Sequence, residues 1–205
     1  MKKHLFGLLA ILFSSLVCFT PLVKAQTITF DEFTLTADDG TNMVPFGYSG
    51  LTWTNVWMES TNLYPSSPGY LNGAVSPLNV GINAYGSVAS FSSASPFTLN
   101  SLYATAAWMT ELPVIFTGSF GGTELYSFTG VLSSTSPSLL NLNWSGIDTF
   151  TFVATQQGGG MQIALDNISI NNQSTPVPEP STYGLMGATA LLGMGYLRRR
   201  TVKKA

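Results

Sequence analysis

The chain has 205 residues, and 8 Lys and Arg nearly balance 10 Asp and Glu for a formal net charge of −2. That balance belongs to the ends: all the Lys and Arg lie within residues 2–24 or 198–204, whereas residues 26–175 hold nine acids and no cation, a formal charge of −9. Such a segment cannot neutralise nucleic-acid phosphates. With His4 and Cys18 also outside it, it has no His base, Cys nucleophile, Schiff-base Lys, clamping Arg, disulfide or Cys/His zinc cluster.

Residues 1–25 read as a secretory signal peptide. Lys2, Lys3 and His4 form a short positive start, Leu5 to Phe19 are mostly apolar, and Val23-Lys24-Ala25 puts small residues at −3 and −1 for cleavage before Gln26. Val17 before Cys18 fits a lipoprotein acceptor poorly, so Cys18 is expected to leave with the signal.

Residues 26–175 form one domain, long enough for a core. Ser, Thr and Asn make up about a third of it, so hydroxyls and amides carry its solubility. Thr, aromatic and β-branched residues favour strands, and no apolar period of 3.6 appears. Turn clusters at 38–40, 65–69, 119–122 and 156–160 punctuate the chain. Strands are expected near 27–35, 50–58, 79–92, 97–108, 112–119, 124–132, 138–143, 147–155 and 161–170. Leu112 to Ser119 and Glu124 to Val131 read as a hairpin across Gly121-Gly122. Many short strands imply an all-β, two-sheet antiparallel β-sandwich, most simply a jelly roll.

Two strands change the parity of their apolar residues. Ile28 and Phe30 give way to Phe33 and Leu35 across Asp31-Glu32; Met161, Ile163 and Leu165 give way to Ile168 and Ile170 across Asp166-Asn167. A parity change implies a bulge, which re-aims side chains. If the first and last strands pair, Asp31, Glu32, Asp166 and Asn167 converge. Carboxylates without a cation repel, titrate or bind metal, and oxygen ligands select a hard ion such as Ca²⁺. A structural Ca²⁺ is one reading; solvated residues that blunt a sheet edge are the other. Asp38-Asp39-Gly40-Thr41-Asn42 lacks calcium-loop spacing and reads as a turn.

Trp53, Trp57, Tyr64, Tyr70 and Tyr85 cluster in sequence around a loop at 59–77, with Glu59 beside them. Flat aromatic faces stack on sugar rings and Glu59 could accept hydroxyls, so these six are carbohydrate-contact candidates; ordinary core is the alternative for the tryptophans. Trp53 and Trp57, evenly spaced, should share a strand face, and Trp108 and Trp144 read as core. Carboxylate pairs among Glu59, Glu111, Glu124 and Asp148 would suffice for glycoside hydrolysis, but nothing in the sequence makes any two converge, and the chain is read as a non-enzyme.

The C-terminal residues 176–205 follow a Pro-rich linker that starts at Gln173. The span 182–197 is apolar and uncharged, and Arg198-Arg199-Arg200 with Lys203 and Lys204 end it. It reads as a single membrane helix with its basic end, 198–204, in the cytoplasm. Sixteen residues rise about 24 Å, short of the roughly 30 Å hydrocarbon core, so snorkelling or local thinning must fill the gap.

Val177-Pro178-Glu179-Pro180-Ser181, the apolar span and the Arg cluster together resemble the PEP-CTERM sorting signal of Gram-negative bacteria. The resemblance implies export by the Sec machinery, transient anchoring in the inner membrane, recognition of Pro178, Glu179 and Pro180 by an exosortase, and delivery to the cell surface or an exopolysaccharide biofilm matrix. Phe30-Asp31-Glu32-Phe33, Gly50-Leu51-Thr52-Trp53, Gly146-Ile147-Asp148-Thr149-Phe150 and Leu165-Asp166-Asn167-Ile168 are similar to jelly-roll domains that precede such tails and look like carbohydrate-binding modules. The resemblance implies a domain that binds or structures exopolysaccharide, with a purely structural matrix protein as the competing class.

Overall fold

A computed structural model of the chain describes residues 24–35, 43–63, 66–156 and 158–172. Nearly all of the expected signal peptide, the turn at 38–42 and the whole tail, with its motif, its apolar span 182–197 and its basic end, lie outside the described residues. Among the described residues no helix is long and apolar enough to cross a membrane.

The described residues form nine strands: β1 (Gln26–Ile28), β2 (Thr52–Thr54), β3 (Val56–Ser60), β4 (Asn79–Asn83), β5 (Ala89–Ala106), β6 (Leu112–Phe120), β7 (Thr123–Leu132), β8 (Ser138–Ala154) and β9 (Ile163–Ile170). One short helix, α1 (Pro68–Gly73), lies between β3 and β4. All the strand pairs are antiparallel.

The two long strands organise the sandwich. β5 and β8 run side by side from Ala89↔Phe152 to Ala104↔Ser138. Their ends take different neighbours. Ser90 to Ser92 of β5 borders β2, and Thr149 to Ala154 of β8 borders β6, giving one layer in the order β2-β5-β8-β6-β7. Leu99 to Ala106 of β5 borders β9, giving a second layer, β3-β4-β9-β5-β8, with β1 beside β9. Both strands pass between layers through irregular stretches: register shifts between Ser92 and Ser101 in β5, and positive φ at Asn143 (50°) and Gly146 (73°) in β8. Bulges of this kind let a strand turn a sandwich corner. Hydrogen bonding is therefore continuous through an antiparallel β-sandwich.

Aromatic rings fill the space between the layers. Phe30, Phe91, Phe116, Phe150 and Phe152 are fully buried, and ring centroids lie 4.9 Å apart for Phe91–Phe150 and 5.7 Å for Phe116–Phe150. Such pairs add about 0.5–1.5 kcal/mol each beyond burial. Gly81 makes room for Phe30, whose ring would lie 2.6 Å from a Cβ added there.

Several expectations hold in detail. β6 and β7 form the expected hairpin, with Gly121 (φ 56°) and Gly122 (φ 79°) both left-handed as a type I′ turn requires. β1 pairs with β9 through Ile28↔Ile168. The second parity change is a bulge, with Asn167 at φ 48° and a register shift between Ser101 and Tyr103.

Others are corrected. The strand expected over 27–35 stops at Ile28: Phe30 takes φ 64°, and Asp31-Glu32 form a turn closed by Phe33 N–H to Phe30 O, 3.3 Å. The span 79–92 is cut by a 3₁₀ turn at Ala84–Gly86. The spans 138–143 and 147–155 are one strand, and Ile147 is buried with Phe150 and Phe152 although its parity differs, because the register of β8 on β5 shifts between Thr149↔Ser92 and Ile147↔Phe97.

Candidate functional site

The outer face of β3-β4-β9-β5 carries the largest concentration of expected site residues. Strand parity puts Trp57 opposite Ile82 and Glu59 opposite Val80; Ala164 follows Ile82, and Thr105 follows Ala164. Val80, Ile82 and Ala164 pack with Tyr70 and Ala107 as a second small core, with Trp57 and Ala74 against it. α1 and its flanks cover this face. Ser67 caps the helix, its hydroxyl accepting from Tyr70 N–H and donating to Ala107 O at 2.9 Å. Gly69 permits the close approach, since a Cβ there would fall 1.8 Å from Ala106 O.

Glu59 and Asp166 share one cross-strand row. Extending the register of β4 on β9 by one residue sets Asp166 beside Val80, so the two Cα atoms are two strand spacings, about 10 Å, apart. Asp166 is fully buried and holds the covering loop: its carboxylate accepts from Val75 N–H at 2.7 Å, Ser76 N–H at 2.8 Å, the Ser76 hydroxyl and Asn167 N–H at 2.6 Å. Burial pushes its carboxyl up to about 6 against these donors. Glu59 is 8% exposed and Oε2 has no hydrogen-bond partner, so burial alone pushes it up to about 7. Thr105 Oγ1 and Gln162 Oε1 are likewise buried without a partner.

One end of this face is open and aromatic. Trp57 meets Tyr85 edge-to-face at 5.1 Å, and Tyr85 is 76% exposed. Its turn is tied down: Asn55 Nδ2 donates to Ala84 O and Val88 O, and Asn83 Nδ2 to Ser87 O. Across β4 and β9, Tyr70 meets Trp108 edge-to-face at 5.8 Å, and Trp108 is 41% exposed. Three loops converge here, with Gly86 against Met161 and Gly160 against Trp108. Ala107 N–H donates to Gln162 O at 2.9 Å, which sets Gln162 next to the stretch that carries Trp108.

Of the six carbohydrate candidates, Trp57, Glu59, Tyr70 and Tyr85 come together on this face, and Tyr64 lies outside the described residues. Trp53 does not join them. Asn55 at φ 55° ends β2 and separates it from β3, so the even spacing of Trp53 and Trp57 no longer means a shared face. Trp53 packs on Phe91 and Phe30 in the main core, and its Nε1 donates to Tyr48 O at 3.0 Å. Trp144 is core, as read; Trp108, read as core, is instead partly exposed beside Tyr70. Sequence spacing could not show this, because Ser67-Pro68, the N-cap and first residue of α1, reads only as part of a turn cluster.

Three of the four metal candidates are drawn to different donors, and Asn167 gives its backbone N–H to Asp166. Asp31 accepts from Asn79 N–H at 3.2 Å. Glu32 hydrogen-bonds the Tyr48 hydroxyl, and burial together with this carboxylate raises the Tyr48 phenol. By parity Asp166 faces α1, whereas the Asn79 side chain, which donates to Phe30 O and Phe33 O, takes the other face of β4. Among the described residues no group of three or more His, Cys, Asp and Glu could hold a metal ion. Of the remaining hydrolase candidates, Asp148 ties the β6–β7 hairpin, accepting from Gly121 N–H at 2.7 Å and the Thr149 hydroxyl at 2.9 Å. Glu111 and Glu124 are exposed.

At the other end of the chain, Pro178-Glu179-Pro180, the apolar span and the Arg cluster stand in unbroken order. Residues 176–200 match the PEP-CTERM protein-sorting motif. The PEP-CTERM motif marks an exported, cell-surface-directed protein processed by an exosortase. No curated protein matches the chain. Among solved structures, the chain is similar to the K2 cleaved adhesin domain of Lys-gingipain, at 14% identity and a TM-score of 0.45, over 73% of this chain and 98% of that one. It is also similar to the K1 cleaved adhesin domain of Lys-gingipain from Porphyromonas gingivalis W83, at 11% identity and a TM-score of 0.44, over 73% and 99% of the two chains. A third likeness is to TmCBM61 in complex with β-1,4-galactotriose, at 12% identity and a TM-score of 0.38, over 60% and 88%.

Proposed function

We propose that the exported domain binds neutral glycan chains of the extracellular matrix at the aromatic end of the β3-β4-β9-β5 face. The observation that supports this reading is the pair of exposed rings, Tyr85 and Trp108, each backed edge-to-face by a more buried ring. Backing rings fix the orientation of the exposed ones, so little side-chain entropy is lost when a sugar stacks on them. Tyr85 follows β4 and Trp108 follows β5, two strand spacings or about 10 Å apart, so the rings engage two or more sugars of a chain rather than one. Glu59 acts indirectly, as the buried neighbour that seats Trp57. The absence of Lys and Arg from residues 26–175 makes an uncharged ligand the better electrostatic match. A glycan array probed with the exported protein tests the reading. Binding to neutral oligosaccharides, lost in the Tyr85→Ala/Trp108→Ala double variant, is expected; an empty array, or binding unchanged in the variant, refutes it.

A further inference from the structure

The other layer presents a pattern that the aromatic site does not use. Registers across β2, β5, β8, β6 and β7 place Thr54, Ser90, Thr151, Thr117 and Ser127 opposite one another in a single row. Two residues along each strand, Thr52, Ser92, Thr149 and Ser119 form a second row, ended by Glu124. At about 4.8 Å per strand the first row carries five hydroxyls across about 19 Å. The alternate residues on these strands, among them Trp53, Phe91, Phe150 and Phe116, face the core, so parity turns both rows outward. Their members are exposed or half-buried. α1, the only α-helix among the described residues, contacts β5 and β9 and covers the other layer.

We propose that this two-row hydroxyl array is a second binding site, for one extended neutral polysaccharide chain lying across the strands. Charge and chemistry select the occupant. The first row has no charged member, and residues 26–175 have no cation to neutralise a polyanion. Neither row has an aromatic or Arg anchor of the kind that dominates protein interfaces. Apart from Thr149 in the second row, whose hydroxyl donates to Asp148, each Ser or Thr hydroxyl can both donate and accept, so the array can meet sugar hydroxyls in either polarity and in either chain direction. The right-handed twist between strands disfavours a flat rigid lattice and suits a single flexible chain. Each bond is weak, so binding depends on filling the row: chains shorter than about 19 Å bind worse than longer ones. The inference rests on the neutral-glycan reading above and gives it a second site on the opposite layer.

The test is affinity electrophoresis of the full chain in gels containing hydroxyethyl cellulose, soluble starch, dextran or galactan. Three variants are compared with wild type: Thr117→Val/Thr151→Val, Thr117→Ser/Thr151→Ser and Tyr85→Ala/Trp108→Ala. Val keeps shape and strand preference while deleting the hydroxyl, and melting temperature checks the fold. Retention on at least one polymer is expected to fall about tenfold in the Val variant and to be kept in the Ser variant. Wild-type retention in the Val variant, or equal loss in both, overturns the array and leaves the aromatic site standing. Loss in the Val variant with none in Tyr85→Ala/Trp108→Ala overturns the aromatic reading alone. Wild-type retention on none of the polymers overturns both.

Discussion

Replacing Glu59 by Gln isolates the energetics of the covered face. The Glu59 carboxyl titrates near 7 in the fold against an ordinary value of 4.5 because burial disfavours its charged form. Its folded value is raised, so the native state binds the proton more tightly than the unfolded chain does. Stability is therefore highest below 4.5 and falls as pH rises through the window 4.5–7. At 1.36 kcal/mol per unit, the wild type loses roughly 2–3 kcal/mol between pH 5 and pH 8 from this group. That is on the order of 5–10 °C in melting temperature for a domain of this size. Gln carries no charge, so Glu59→Gln removes this part of the slope. It also places an amide where Oε2 has no partner, a cost of about 1–3 kcal/mol that does not depend on pH. Urea titrations of both proteins at pH 5, 6, 7 and 8 separate the two effects, and general repulsion among the other acids cancels in the difference. Equal pH slopes would refute the reasoning.

Gly69→Ala drives a Cβ into the main chain of Ala106; it is expected to lift α1, lower stability by roughly 1–3 kcal/mol and reduce the near-ultraviolet circular dichroism of Tyr70 and Trp108. Gly121→Ala puts a side chain at φ 56° in the β6–β7 turn and is expected to cost about 1–2 kcal/mol without disturbing α1, read by the same two measurements. Millimolar calcium is expected to leave the melting temperature unchanged, because Asp31, Glu32 and Asp166 already accept N–H or O–H donors at separate places. A rise of several degrees would instead support a shared ion.

The sandwich was legible wherever local chemistry decides the outcome. Gly121-Gly122 specify a turn that few other residues accept, so both flanking strands could be placed from sequence. The Asp166-Asn167 parity change marked a real bulge because a half-buried strand must keep its apolar side inward. Legibility failed where a single residue at positive φ redirects the chain. Phe30, Asn55 and Tyr85 all adopt it, and only Asn has a local preference for it. Hence Trp53 and Trp57 parted, and 79–92 broke in two. The covering loop was opaque for another reason: α1 has six residues, and its order comes from distant partners such as Ala107 and Asp166. The hydroxyl array needed the registers of five strands at once, which no single strand displays.

The claim on which the account turns is that an uncharged ligand sits on Tyr85 and Trp108. Affinity electrophoresis in a neutral polysaccharide gel, run at low salt and again at about 1 M, tests it most directly, since salt at that level screens beyond about 3 Å. Retardation that survives the salt and is sharply reduced in Tyr85→Ala/Trp108→Ala is the predicted result. Retardation that salt abolishes, or that the variant retains in full, would contradict it.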